Sequence, residues 1–328
     1  MKLLSKHNRH SPRSLAGNLW IPCQKPQGMT VFILALMLLP SLALAKLQVV
    51  TTTEDLAAIA REIGKDQIDV TAISKGYQDP HFVDPKPSFL LKLGRADLMI
   101  IVGMELEVGW LPPLLQNARN GKILPGNAGY LDASEGCHVL QKPTGAVDRS
   151  MGDVHPFGNP HYWTDPENGR VIAKHMAEML SALDQANAAQ YATNLKQFED
   201  RLSAKEKEWN TIAASFKGVK VITYHNSWPN FADVYGLDIV NHVEPKPGIP
   251  ASPAHVQDLI NQIKRDKVPL LLIEPYFDEK LPQKIAAETG ARLLLFPPSV
   301  GGVKEVKTYF DLFDYDLHLI QNALGGKS

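Results

Sequence analysis

Apolar residues change their period along this chain, and the change recurs. Residues 47–50 form a short run that predicts a strand. Leu56, Ile59, Ala60 and Ile63 then fall three and four apart, the spacing of one helix face, and the pattern stops at Gly64. Residues 68–73 predict the next strand, residues 88–93 a short helix after Pro85 and Pro87, and residues 98–102 a buried-type strand ending at Gly103. A helical region is expected from there to Asn120. Alternation of this kind builds an α/β lobe around a mainly parallel sheet.

Two longer features interrupt the alternation. Residues 132–160 are rich in Gly, Pro and polar side chains and predict an irregular segment, which carries His138 and His155. Residues 166–183 are helical in pattern, and a second helical run over residues 186–216 contains neither Pro nor Gly. At ~1.5 Å per residue that run spans roughly 45 Å, enough to cross a two-lobed molecule. Strands then return at 219–224, 237–242, 269–273 and 292–296. Helices are expected at 230–235, from Ser252-Pro253 to 264, at 279–289 and at 308–324. The expected fold is α/β, with two lobes, each a mainly parallel sheet flanked by helices, joined by a long rigid helix. The boundaries fall at 46–185 for the first lobe, 186–216 for the connection and 217–328 for the second. No short sequence repeat relates the lobes, so any symmetry between them lies in the fold.

The first 45 residues differ from the rest. They hold Lys2, Lys6, Arg9, Arg13 and Lys25 and no acid, then an apolar run over 31–39, then the small-x-small ending Ala43-Leu44-Ala45. This is the form of an export signal, with cleavage expected after Ala45. Met29 opens a compact signal of ordinary shape and is a second candidate start. The apolar run is shorter than the ~20 residues that a spanning helix needs. Removing five positive charges from a chain at −1 leaves it at −6. A mildly acidic exported protein offers nucleic acid no basic face and suits cationic ligands. Cys23 leaves with the leader, so Cys137 stands alone, forms no intrachain disulfide and reads as a packed residue.

Candidate chemistry centres on three histidines. His81 and His161 sit in matching settings, Asp79-Pro80-His81 and Asn159-Pro160-His161, and His225 follows the 219–224 strand. In open α/β sheets, ligands gather beyond the carboxyl ends of strands, so both lobes aim histidines at the crevice between them. A lone histidine in such a protein is usually a surface or satisfied interior residue. Three at loop positions facing one crevice form a set of neutral imidazoles suited to a Zn²⁺-class ion. The proline before two of them fixes φ and stiffens the ligand loops. His155 shares a segment with His161, and its reading stays open between ligand, ion-capture residue and ordinary loop residue.

The segments 79–88, 158–166 and 224–237, with Gly248-Ile249-Pro250-Ala251-Ser252-Pro253 and Glu274-Pro275-Tyr276-Phe277, resemble the zinc/manganese solute-binding proteins of bacterial ABC importers. The resemblance runs through almost all of the chain after the leader. It implies two α/β lobes braced by a long helix, with His81, His161 and His225 as metal ligands. It also implies delivery of the ion, as a periplasmic monomer, to an inner-membrane ABC permease. Some members carry a carboxylate at the third position and are linked to manganese; His225 stands there in this chain, and three nitrogens favour Zn²⁺ over Mn²⁺. The family's usual aspartate after the last strand is missing, since that stretch reads Phe296-Pro297-Pro298. Glu274, just past the 269–273 strand, is the first candidate for the fourth ligand, with Asp79 and water as alternatives; Glu274 also reads as a buried acceptor for loop amides. Two other functions fit a three-histidine site, a zinc hydrolase and a receptor for a metal chelate. Against the hydrolase, the chain has no His-Glu-x-x-His helix and no acid placed as a general base.

Overall fold

Val49, Val50, Leu98, Met99, Ile100 and residues 270–273 are buried whichever face of the strand they occupy. Helices cover both sides of such strands, which is why they read as continuous apolar runs rather than alternating ones. A computed structural model of the chain describes Gly17 and residues 46–325. The reading of a leader over 1–45 lies outside the described residues.

The strands form two sheets. The first holds β1 (Leu47–Thr51), β2 (Ile68–Ala72), β3 (Leu98–Ile101) and β4 (Tyr130–Asp132) in the order β2-β1-β3-β4. The second holds β5 (Lys220–Thr223), β6 (Asp238–His242), β7 (Leu270–Ile273) and β8 (Arg292–Leu295) in the order β6-β5-β7-β8. Every strand pairing in both sheets is parallel. The two orders follow one scheme, so the lobes are alike in topology without being alike in sequence. In each sheet the chain reverses its direction of travel at the first strand, and a crevice opens there beyond the strand ends.

Nine α-helices appear among the described residues: α1 (Glu54–Gly64), α2 (Pro87–Arg95), α3 (Leu111–Ala118), α4 (Pro166–Leu183), α5 (Ala188–Ala213), α6 (Pro229–Tyr235), α7 (Pro253–Asp266), α8 (Lys280–Thr289) and α9 (Tyr309–Gly325). Thr53, Asp165 and Ser252 cap α1, α4 and α7 by accepting backbone N–H groups of the first turn. No helix among the described residues is long and apolar enough to cross a membrane.

Three features depart from the sequence pattern. The helix expected straight after Gly103 begins only at Leu111, because Gly103, Met104 and Glu105 take φ values of 79°, 56° and 67°. Three successive left-handed residues cannot belong to a right-handed helix. The buried Glu107 carboxylate holds this turn by accepting from Val102 N and Gly103 N, at 2.7 and 3.2 Å. Strand β4 was not expected, being three residues long and too short to show a period. The connecting helix α5 covers 26 residues, about 39 Å at 1.5 Å each, and ends earlier than the pattern suggested.

Helix α5 is fastened to both lobes. In its first half, Asn194 Nδ2 donates to the Ile63 carbonyl at 2.8 Å, and midway along it Arg201 pairs with Glu62. Near its end, Trp209 Nε1 and Lys205 Nζ both donate to Asp314 Oδ1 on α9, at 2.7 and 2.9 Å. One apolar core runs behind the crevice through both lobes and includes Ile59, Trp163, Phe198, Trp209, Phe296 and Phe310. Two smaller cores lie under α2–α3 and under α7–α8. Direct bonds add to the shared core: Trp163 Nε1 donates to the Pro298 carbonyl at 2.8 Å, and Val300 N donates to Asp55 Oδ1 at 2.9 Å. Cys137 is free, its thiol donating to the Ala133 carbonyl; burial, helped by Asp165 and Asp132, pushes it up to about 12, so it packs rather than reacts.

Asp55 makes the join between the lobes sensitive to pH. Burial outweighs its hydrogen bonds and raises its carboxyl to about 7. A raised carboxyl contributes stability that is complete below the unfolded value near 4 and is lost as pH rises towards 7. Asp55→Asn keeps an acceptor for Val300 N without the titration. Denaturant unfolding of both proteins should show the variant gaining on the original between pH 4 and 7, by on the order of a few kcal/mol; parallel profiles would show that Asp55 does not titrate in this range.

Candidate metal centre

Each of the three histidines is aimed by its own local structure. In Asp79-Pro80-His81, the Asp79 carboxylate accepts from both the backbone N–H and ring Nδ1 of His81, at 2.9 and 2.8 Å. Asn159-Pro160-His161 repeats this, with Asn159 Oδ1 accepting from His161 N and Nδ1 at 3.0 and 2.9 Å. The proline fixes the backbone between the two side chains, so the Asx oxygen reaches the ring two residues on. His225 lies just past β5, where its carbonyl accepts from Thr223 Oγ1 at 2.7 Å, and its Nδ1 faces Glu244 Oε2 at 2.7 Å.

These partners decide the tautomers. Asp79 Oδ1 and Glu244 Oε2 each accept a backbone N–H as well, from His81 and Gly248. Asn159 spends its Nδ2 on the Asn226 carbonyl at 2.8 Å and on Gln141, so the oxygen must face His161. Every Nδ1 therefore carries a proton, and in the neutral ring the lone pair lies on Nε2. The ring centroids of His81, His161 and His225 lie 5.2, 5.3 and 5.5 Å apart. Ligand nitrogens of all three lie within 4.8 Å of one another, and no other such cluster of metal-binding side chains occurs among the described residues. Nε2 of His81 and of His161 is buried with no hydrogen-bond partner. Burial, followed by repulsion from His81, His225 and His155, holds His161 well below the ordinary histidine range, so its lone pair stays available. Buried, unpartnered, neutral imidazole nitrogens converging on one point are the donor set of a borderline divalent cation.

The candidates for the fourth position stand outside the histidine cluster. Glu274 is fully buried just past β7 but adds no atom to the cluster. Its Oε1 accepts from Ser227 Oγ and Trp228 Nε1, at 2.7 and 3.2 Å, and burial raises the carboxyl to about 8. The side chain is a buried acceptor for the loop that carries His225. Asp79 stands behind His81; burial pushes its carboxyl up, but the His81 hydrogen bonds outweigh this and hold it below its ordinary value. After β8, Phe296 packs on Trp228 with ring centroids 4.3 Å apart, so the place of the usual aspartate is apolar. His155 stands beside the trio, its ring centroid 5.4 Å from that of His81.

Glu244 was not singled out from the sequence. It lies two residues past β6, in Val243-Glu244-Pro245, and the carboxylate-to-strand-end spacing was a signal available there as for Glu274. The matching Asx residues before the two Pro-His pairs were visible, but their role as ring acceptors was not.

The sequence pattern of the family described as zinc-uptake complex component A, periplasmic, matches residues 49–323. This chain belongs to that family. It is thus a metal solute-binding protein of an ABC importer, a transport component and not an enzyme, and the hydrolase reading falls. Among its relatives, the manganese ABC transporter substrate-binding lipoprotein PsaA of Streptococcus mitis is 30% identical over 289 residues, covering 85% of this chain and 89% of that protein. The metal ABC transporter substrate-binding lipoprotein ScbA of Streptococcus cristatus is 29% identical over 288 residues, with the same coverage of 85% and 89%. A crystal structure of ZnuA superposes with a TM-score of 0.71 at 26% identity, covering 85% of this chain and 99% of that one. The Mn-bound periplasmic metal binding protein of Candidatus Liberibacter asiaticus shares the fold, with a TM-score of 0.69 at 20% identity and coverage of 85% and 100%.

In this metal-binding protein Glu244 both orients His225 and anchors Gly248. Glu244→Ala should weaken metal binding by about 10–100-fold, the usual cost of removing an acceptor behind a ligating histidine. Glu244→Gln, which can still accept, should lose less. Titration calorimetry on the metal-free variants measures this, and an unchanged affinity in the alanine variant would remove Glu244 from the site.

Proposed function

We propose that the protein is an exported zinc receptor in which His81, His161 and His225 bind the ion between the lobes. The observation that carries this reading is the nitrogen character of the site. Three imidazoles meet there, each fixed by an oxygen acceptor on Nδ1, and no carboxylate oxygen joins them. Hard ions such as Mn²⁺ prefer carboxylate and water oxygens, while imidazole suits Zn²⁺. The relatives whose names specify manganese support metal transport in general; the donors of this chain support zinc in particular. The ion is cargo, handed on to an inner-membrane ABC permease by a monomer. The leader over 1–45 exports it to the periplasm, and lobes at 46–185 and 217–328, joined through 186–216, hold the ion.

Metal-free protein should take up one equivalent of Zn²⁺ and prefer it to Mn²⁺ by orders of magnitude. His225→Ala should lose most of that affinity, and calorimetry that finds zinc binding intact in this variant would refute the assignment. Elemental analysis of protein purified from its own compartment without added metal should find zinc; manganese there would overturn the choice of ion. Sequencing of the exported form should begin at Lys46, whereas a retained leader or an earlier modified residue would point to an anchored protein.

A further inference from the structure

His155 is the one ring beside the trio that the receptor reading leaves without work. Its centroid lies 5.4 Å from His81, the spacing found within the trio itself, and the two rings are tilted by 31°. Its Nε2 is buried without a hydrogen-bond partner, as are those of His81 and His161. A hydrogen bond to the Met104 backbone engages the ring from the other side. Together with His161 and His225, His155 lines a cavity of about 40 Å³. That is room for an ion or for a few waters. A buried imidazole lone pair that meets no protein donor is costly unless something fills the space before it.

The segment around His155 is built to cross the crevice. Asp153 N donates to the Pro247 carbonyl at 2.8 Å, and Lys246 Nζ donates to the Ser150 carbonyl at 2.9 Å. Gly152, at φ 77°, lies so close that a Cβ there would come within 2.1 Å of the Pro247 oxygen. Gly158, at φ 114°, turns the chain back, and Asn159 N then donates to the Leu140 carbonyl at 2.9 Å. The strap thus leaves the first lobe, rests on the 246–248 loop of the second and returns to His161. Gly248 of that loop donates to Glu244 Oε2, the oxygen that aims His225. The positions of His155 and His225 are therefore tied to one loop.

We propose that His155 is the fourth metal donor, closing onto an ion held by His81, His161 and His225 to give four imidazole nitrogens. The proposal rests on the metal-receptor reading. In the structure the His155 nitrogen stands outside the 4.8 Å cluster, so a small inward movement of the strap completes the set. Four neutral nitrogens replace the three nitrogens and one carboxylate that the resemblance would have supplied, and they sharpen selection for Zn²⁺ over Mn²⁺. Loosening the 246–248 loop would withdraw His155 and His225 together, a local route to release in a molecule whose lobes share a core.

The test uses metal-free full-length protein without its leader, loaded with Zn²⁺ for X-ray absorption and with Co²⁺ for visible spectroscopy. The original protein should show four imidazole nitrogens on zinc. His155→Ala should show three, with a changed Co²⁺ ligand-field spectrum, zinc affinity lower by at least about tenfold and a reduced zinc-to-manganese preference. His155→Gln, closer in size, should behave likewise, and matching melting curves of the metal-free proteins would establish that the fold is intact. Three imidazoles in the original protein, with spectrum and ion preference unchanged by His155→Ala, would overturn the fourth-donor proposal and leave the receptor standing. An original protein that binds neither ion would overturn both.

Discussion

Three imidazoles can present their lone pairs to one ion only if each ring is held in one orientation and one tautomer. In this protein the constraint is met by giving each Nδ1 proton to a fixed oxygen, from Asp79, Asn159 or Glu244. With Nδ1 committed, each ring has one orientation and one tautomer, and its lone pair is directed away from the acceptor. Two of those lone pairs end in buried space without a partner. The protein therefore carries the cost of two desolvated acceptors facing one another, and a divalent cation relieves it.

The frame must hold those rings to within fractions of an ångström although they come from distant parts of the chain. It does so from behind. A single apolar core runs through both lobes, α5 is bonded at one end to α1 and at the other to α9, and Asp55 and Trp163 bond directly across the join. Lobes that share a core resist wide hinge motion, because opening them would expose packed aromatic surface. Adjustment is left to the crevice side, where the strap at 150–159 and the 246–248 loop meet through backbone bonds and glycines. Rigid support behind and short loops in front suit a receptor that must bind an ion firmly and still surrender it.

The apolar stretch after β8 shows how one position alters the chemistry. Phe296 lies against Trp228 and Phe231, and the neighbouring Pro298 carbonyl accepts from Trp163. A place that could hold a carboxylate has become part of the core between the lobes. On the proposal made above, the donor that the apolar stretch lacks comes from the irregular segment as His155.

Much of this was fixed by the sequence alone. The two periods of apolar residues placed seven of the eight described strands, and the absence of Pro and Gly over 186–216 pointed to the long helix, which the structure has at Ala188–Ala213. The paired Asx-Pro-His motifs and the histidine after β5 singled out the three histidines that the fold brings together, because short-range geometry governs how a proline presents the next residue and where a strand end points. The backbone around Met104 and Glu105 was not legible, since left-handed φ at ordinary residues leaves no mark on hydrophobic spacing. Nor was the choice between Glu244 and Glu274. Both follow strands that flank β5 in the sheet order β6-β5-β7-β8. One meets His225 Nδ1, and the other turns to Ser227 and Trp228. Sequence spacing tells which residues stand at strand ends; which of them reaches the crevice is decided by register, by the loop that follows and by what has already filled the space, and those are properties only of the packed chain.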